Sequence, residues 1–542
     1  MALESTGAYA VASPHALASR AGADVLRDGG NAVDAALATA AVLAVVYPNQ
    51  CSPGGDLVAL VGLPDGTAHV LNASGRAPAA VDVDAVRAAH ARMPVEGALP
   101  VTVPGVVAGW AELAGRWGSR PLGPALAAAA GLARDGVPVV PGLARDLAGE
   151  AARIAADPGL AGVLLADGAP LAEGATLRNP RLADTLDAIA DGGPDAFYAG
   201  PVAASLVRTL RAHGSAMTID DLATHTCTVE APLAARYGDG TYLASGGNTQ
   251  GGWFLAGLRA VAVLGERLGR TPDPLGPDAG PLALLLARVA VERDAHLGDG
   301  PADDALARLL EDDAAVEALV DAALAGHAPV TPPVAPPAGG DTVAIVAADA
   351  HGGRVTIIQS VFHAFGAGLL DPRTGVVLHN RGAAFSLDPA SPGVLAGGRR
   401  PPHTLMPVLV RDAAGDVVGV HGTMGGRAQP QIHTHLALHL ALGRTPGEAV
   451  SAPRWVVGRM EAGAGPVAVQ PEADLPATAR AALAATGLPV EPLAARDDGA
   501  GHAQLIRAVA GGRFAAASDP RADGAALTDT DGPAGADRTD AG

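Results

Sequence analysis

Short β-branched runs and long alanine-rich stretches of helical period divide the chain. Val11 to Ser13 ends at Pro14-His15 and reads as a strand running into a turn. Leu17 to Arg27 has helical spacing and stops at Gly29-Gly30, a C-terminal glycine signal. Asn31 is placed to cap a second helix reaching Val46. Pro48 to Asp56 is a glycine-rich loop, Leu57 to Val61 a buried strand and His69 to Ala73 another. Val101 to Trp110 reads as strand, turn and helix start. From Leu122 to Ala328 amphipathic helix dominates, with strands expected near Val229 and over Thr241 to Ala244. Beyond residue 342 the texture changes. Val343 to Ala348, Arg354 to Gln359, Val376 to His379, Val408 to Val410 and Val417 to His421 read as strands joined by glycine-rich turns. Pro430 to Leu442 is predicted helical, Pro453-Arg454-Trp455 reads as a turn, and Leu483 to Pro489 and Ala503 to Ala510 complete an α/β pattern. From about Thr528 periodicity is lost, and a disordered acidic tail is expected.

Composition narrows the function classes. The chain has 542 residues, 49% hydrophobic but only 3% aromatic, so Ala, Val, Leu and Gly must fill the core. The net charge of −19 leaves no basic stripe, which argues against nucleic acid or an anionic membrane as partner. Cys51 and Cys227 cannot form a disulfide framework, and neither has metal-ligand spacing. The first residues lack the pattern of a secretory signal, and no apolar run reaches about 18 residues. A cytoplasmic protein is the expectation.

One stretch carries chemistry. A proline-rich segment from Pro329 to Pro337 and Gly339-Gly340 leads into Asp341-Thr342 at the start of an apolar strand. Thr342 either opens an ordinary strand after a linker or, if the chain is cut before it, presents a hydroxyl and a free α-amine together. That amine, with a reference pKa of about 7.7–8.0, is a usable base near neutrality. Arg76, in Ser74-Gly75-Arg76-Ala77-Pro78, is either a solvated charge or a carboxylate clamp. His435 and His439 have i, i+4 spacing, but no HExxH signature accompanies them. His225 and His327 read as surface histidines, and no metal or cofactor is expected.

Taken in order, these stretches resemble the γ-glutamyltransferase family of N-terminal-nucleophile hydrolases, from roughly Ala10 to Leu527. The resemblance rests on Gly29 to Ala36, Gly54-Gly55-Asp56, Ser74 to Pro78 and Val103-Pro104-Gly105 with Trp110. It continues through Gly340-Asp341-Thr342, Phe365 to Gly368, Asn380 to Phe385, Arg400-Pro401, Met424-Gly425-Gly426 and Ala452 to Trp455. It implies a four-layer αββα sandwich and self-cleavage between Asp341 and Thr342. The products would be a large chain, 1–341, and a small chain, 342–542, interleaved in one domain as a heterodimer, either single or as a dimer of heterodimers. Thr342 would form an acyl-enzyme and pass the acyl group to water or an amine. Gly425 and Gly426 would supply the oxyanion hole, Ser360 a hydroxyl beside the nucleophile, and Arg76 a grip on a substrate carboxylate.

The chain departs from the family at the substrate end. Where typical members grip the α-amino end of a glutamyl group with Asn, Gln and Asp, an ungapped alignment places Phe362, Arg381 and Ala384. His403-Thr404 replaces the serine pair. An arginine gained and a carboxylate lost reverse the charge preferred there. The Asn380 to Ser386 run resembles a branch containing glutathione-hydrolase-like proteins and oxamate amidohydrolase. The first reading is therefore an amidohydrolase or acyltransferase for γ-glutamyl-like amides. The alternatives are a hydrolase of short anionic acyl amides without an α-amine, of oxamate or glutaryl type, and an unprocessed, non-catalytic homologue.

Overall fold

The computed structural model describes residues 4–300, 304–325, 341–458 and 467–531. The Pro/Gly arm before Asp341 and His327 lie outside them. Two seven-stranded sheets form the centre, and neighbouring strands within them are antiparallel. The first runs Ala525–Thr528, Ala10–Ser13, Asp341–Ala348, Arg354–Phe362, Asp56–Gly62, Ala68–Asn72 and Thr228–Glu230. The second runs Glu4–Gly7, Arg513–Ser518, Ala503–Val509, Val417–Thr423, Val408–Arg411, Gly240–Ala244 and Leu233–Tyr237. Each sheet takes strands from both sides of residue 341.

Alternation along a strand sorts residues between two cores. Ala344, Val346 and Ile358 face the second sheet and pack with Leu409, Val420 and Ile506. Val343, Ile345 and Ile357 point the other way, toward the helix Ala32–Val46. The outer face of the second sheet, with Ala244 and Val408, packs on the helices Gly251–Leu268 and Ala279–His296. The result is an αββα sandwich. Both faces of each central strand are buried, which is why they read as unbroken apolar runs.

Small residues make the layers close. Asn31 and Asp34 form a reciprocal capping box, and all 15 residues of Ala32–Val46 are buried. Gly22 lets the preceding helix, Ala16–Arg27, lie against it: a Cβ there would meet Thr39 Oγ1 at 2.3 Å. With so few aromatics, close backbone approach supplies the contact that large rings would otherwise give.

Several local expectations are corrected by tertiary contacts. Residues 101–103 form no strand; they lie against the Ser74–Pro78 loop, with Val103 N–H donating to Arg76 O at 3.0 Å. Leu233–Tyr237 is a strand that sequence reading missed, because its partly buried edge position weakens the apolar alternation. Trp455 begins a short strand, Trp455–Val457, rather than a turn, and Arg454 is buried in an ionic cluster. There Arg454 meets Asp519 at 2.9 Å, and Arg521 bridges Asp519 at 2.9 Å and Glu472 at 2.5 Å. His225 is half-buried and stacked on Tyr198. Thr528 closes a strand on Ala10, and Asp531 accepts from Ser5, so the expected tail boundary moves past Asp531. Later residues lie outside the described ones.

Many histidines are buried in the neutral form. Burial pulls His15, His403 and His502 down to about 4, and His421 and His363 to about 3, from an ordinary 6.5. The unfolded chain therefore binds more protons than the folded one between those values, so stability rises with pH across that window. Full stability is expected above about pH 6.5, with progressive loss as pH falls toward 4, at up to about 1.4 kcal/mol per pH unit for each such histidine. Urea unfolding at stepped pH measures this; a flat profile from pH 6.5 to 4 would contradict it.

Candidate active site

Thr342 sits on a strand that lies within the first sheet, with neighbours on both sides. Its Oγ1 donates to Ser360 Oγ at 3.0 Å, across the strand pair in which Thr342 and Ser360 face each other. Ser360 Oγ also accepts from the Phe362 N–H at 2.8 Å. The register breaks between Asp341 and Thr342: Asp341 pairs with Phe362, leaving Val361 as the extra residue. Phe362 takes φ 80, a conformation that costs an aromatic residue about 1–3 kcal/mol. Irregular pairing and backbone strain thus flank the peptide before Thr342. In the continuous chain Thr342 is buried, 1% exposed.

The strand Val417–Thr423 crosses opposite. Gly422 packs so closely on the first sheet that a Cβ would stand 3.0 Å from that of Ala344, two residues along from Thr342. After this strand the chain turns at Gly425, φ 146, and Gly426, φ 50. Both values favour glycine, and a Cβ on Gly425 would meet Ile432 at 2.4 Å. Among the described residues neither amide N–H has an acceptor. Two adjacent open N–H groups are what an oxyanion requires.

A cavity of about 490 Å³ is lined by Phe362, which pairs with Asp341, and by Arg427, which follows Gly426; Thr342, Gly425 and Gly426 are not themselves in its wall. Phe362, Ala384, His403 and Thr404, all singled out from sequence, line it. Arg381 lies behind that wall, 1% exposed. Its guanidinium stacks on the Phe362 ring at 3.6 Å and donates from Nη2 to Thr404 Oγ1 at 3.0 Å. Its Nε and Nη1 have no partner among the described residues. Burial pulls its pKa down to about 9, with Asp56 partly opposing, so it stays cationic at neutral pH. Arg76 does not line the cavity. Its backbone is held by Val103, and its half-exposed side chain turns to Gly398 O at 2.9 Å and Asp299 at 3.6 Å.

Sequence reasoning missed the supports. Asp56 was visible in a glycine motif but had no assigned role; it is 1% exposed at the centre of a polar cluster. It accepts from Gly75 N–H at 3.1 Å and from His403 Nε2 at 3.1 Å. His379 Nδ1 stands 3.4 Å away, an ion-pair distance without hydrogen-bond alignment, while its Nε2 donates to Thr102 O at 2.9 Å. Burial alone would raise the Asp56 carboxyl, but His379 and His403 outweigh it and hold it well below the carboxylate range. Leu405 N–H donates to His403 Nδ1 at 3.2 Å, so the His403 proton resides on Nε2. Gln250 and Arg293 also line the cavity, and no local motif marks either. Among the described residues no group of His, Cys, Asp and Glu is arranged to hold a metal, and no helix is long and apolar enough to cross a membrane.

The fold is that of the N-terminal-nucleophile hydrolases. Residues 18–528 match the gamma-glutamyltranspeptidase family profile, and the chain belongs to that family. It is 36% identical to the oxamate amidohydrolase proenzyme of Klebsiella pneumoniae, over 96% of this chain and 98% of the relative. It is 34% identical to the glutathione hydrolase-like YwrD proenzyme of Bacillus subtilis, over 95% and 98%. A cephalosporin acylase from Bacillus halodurans superposes with a TM-score of 0.86 at 30% identity, covering 97% of each chain.

Removing Asp56 tests its support of the cavity wall. Asp56→Ala strands the N–H groups of Gly75 and His403 in the core and is expected to cost about 3–5 kcal/mol of stability. Asp56→Asn keeps an acceptor for one of the two and fills the same space, so it should cost distinctly less. Denaturant titration of the two variants decides, and equal losses would refute the assignment.

Proposed function

We propose that this protein cleaves itself before Thr342 and then hydrolyses amides of short anionic acyl groups that lack an α-amine. The carrying observation is Arg381: a buried cation with two unpaired nitrogens behind the substrate wall, where Phe362 and Ala384 offer an ammonium no carboxylate. In a low-dielectric site that charge attracts an anion and repels an ammonium. The 36% identity to an oxamate amidohydrolase proenzyme supports the same reading. The cavity, at about 490 Å³, is far roomier than oxamate needs, which favours longer acyl chains or larger leaving amines.

The chemistry follows from the groups in place. For processing, Thr342 Oγ adds to the Asp341 carbonyl, the peptide C–N bond breaks, and water hydrolyses the resulting ester. This frees the α-amine and leaves chains of residues 1–341 and 342–542 held together by mixed sheets. In catalysis that amine takes the proton from Oγ as it attacks the substrate amide. The N–H groups of Gly425 and Gly426 stabilise the tetrahedral oxyanion. The amine then protonates the leaving nitrogen as the C–N bond breaks, and water cleaves the acyl ester.

The processing step predicts two chains on a denaturing gel, with Thr342 at the N-terminus of the smaller. Thr342→Ala should give one uncut chain without amidase activity. A wild-type protein that stays whole would instead favour a non-catalytic role.

Substrate choice is tested by pairing glutaryl and γ-glutamyl p-nitroanilides, with oxamate assayed by ammonia release. Higher kcat/KM is expected for the anionic acyl groups without an α-amine. Arg381→Met should lower it about 10–100-fold for these, the equivalent of one charge-assisted contact, and spare the γ-glutamyl substrate. Equal or better use of the γ-glutamyl amide, with no charge-dependent effect at Arg381, returns the protein to γ-glutamyl chemistry.

A further inference from the structure

One side chain from the N-terminal segment ties the two ends of the site together. Gln250 Nε2 donates to Gly426 O at 2.8 Å and to Thr404 O at 2.7 Å. Its Oε1 accepts from Arg293 Nη1 at 3.0 Å. Both partners of the nitrogen are carbonyls and the partner of the oxygen is a guanidinium, so the amide orientation is set by chemistry. Three of its four hydrogen-bonding positions are thereby occupied by protein. Gln250 is 1% exposed.

The same contacts immobilise the oxyanion turn. Three successive carbonyls are tied: Gly425 O by Ala428 N–H at 2.8 Å, Gly426 O by Gln250, and Arg427 O by Arg293 Nη1 at 2.7 Å. Each carbonyl shares its peptide plane with the N–H of the next residue, so Ala428 fixes the plane that carries the Gly426 N–H, while Gln250 and Arg293 fix the two planes that follow it and anchor the turn on its C-terminal side. Asp294 locks Arg293 from behind, accepting from its Nε at 2.9 Å while also pairing with Arg427. Gln250 is rigid as well. Its carbonyl accepts from Trp253 and Phe254, and the bend after it leaves no room for a side chain: a Cβ on Gly251 would lie 2.2 Å from Ser245 O.

We propose that Gln250, braced by Arg293, is a positioning residue that holds the peptide plane directly after the Gly426 donor, and through it the oxyanion turn, in a fixed place relative to the Arg381-bound Thr404. This rests on the reading of Thr342 as nucleophile and of the two glycines as oxyanion donors. Gln250 and Arg293 precede residue 341 and the turn follows it, so after processing the large chain holds the small chain's oxyanion turn.

The test uses full-length, self-processed enzyme and whichever of glutaryl or γ-glutamyl p-nitroanilide the wild type turns over faster. Acyl-Thr342 is read by mass spectrometry after rapid quenching, alongside kcat, KM and Tm. Gln250→Met keeps the volume and removes both donors. It is expected to slow acylation and kcat about 10–100-fold, as loss of oxyanion alignment does, with KM within about threefold and Tm within a few degrees. Arg293→Lys keeps one charge and one bond and should give a smaller loss of the same kind. It decides by the same criteria if Gln250→Met does not fold. A folded variant acylating at the wild-type rate, or a defect confined to KM, overturns the positioning role while leaving the nucleophile reading intact. Absence of acyl-Thr342 in the wild type overturns the nucleophile reading and this inference with it.

Discussion

The pairing of Thr342 with Ser360 inside a sheet buried on both faces is the constraint on which the site depends. A hydroxyl at the end of a loop would sample many positions. Here the strand is hydrogen-bonded on both sides, packed against helices behind and a second sheet in front. Ordering costs that would otherwise fall on catalysis are already met by the fold. The irregular register and the positive φ of Phe362 place the departure from regular geometry at the Asp341–Thr342 peptide. Stability elsewhere in the sandwich holds that departure in place.

Charge at the substrate end is arranged in depth. Asp56 anchors His403 and stands near His379, and the Thr404 hydroxyl accepts from Arg381. Arg381 keeps two nitrogens without partners while its face rests on Phe362. A buried cation left this open is costly unless something anionic completes it. The cavity wall therefore carries a preference in sign before any particular contact with a substrate is considered.

Close approach is the other recurring device. Gly22 against the neighbouring helix, Gly422 between the sheets, and Gly425 beside Ile432 each occupy a place where a Cβ would collide. A chain with 3% aromatic residues cannot fill wide gaps between layers. Thin layers bring backbone groups within reach of one another, and the Gly425–Gly426 turn uses that proximity, with the Gly426 and Arg427 carbonyls held by Gln250 and Arg293.

The sequence by itself determined the layer pattern and placed Thr342 at the head of a buried strand. Buried strands and alanine-rich helices announce themselves through local periodicity, and Gly340-Asp341-Thr342 with Met424-Gly425-Gly426 is a local signature. Phe362, Ala384, His403 and Thr404 were legible for the same reason and do share one cavity wall. Only the tertiary structure decided the rest. Arg76 carries the family signature, yet its held backbone turns its side chain to Gly398 and Asp299. Trp455 and Thr528 joined strands because distant segments offered them partners. Gln250, Arg293 and Asp56 gain their roles from neighbours between 19 and 347 positions away in the chain. Periodicity is a property of adjacent residues, whereas hydrogen-bond networks join residues that only the packed sandwich brings together.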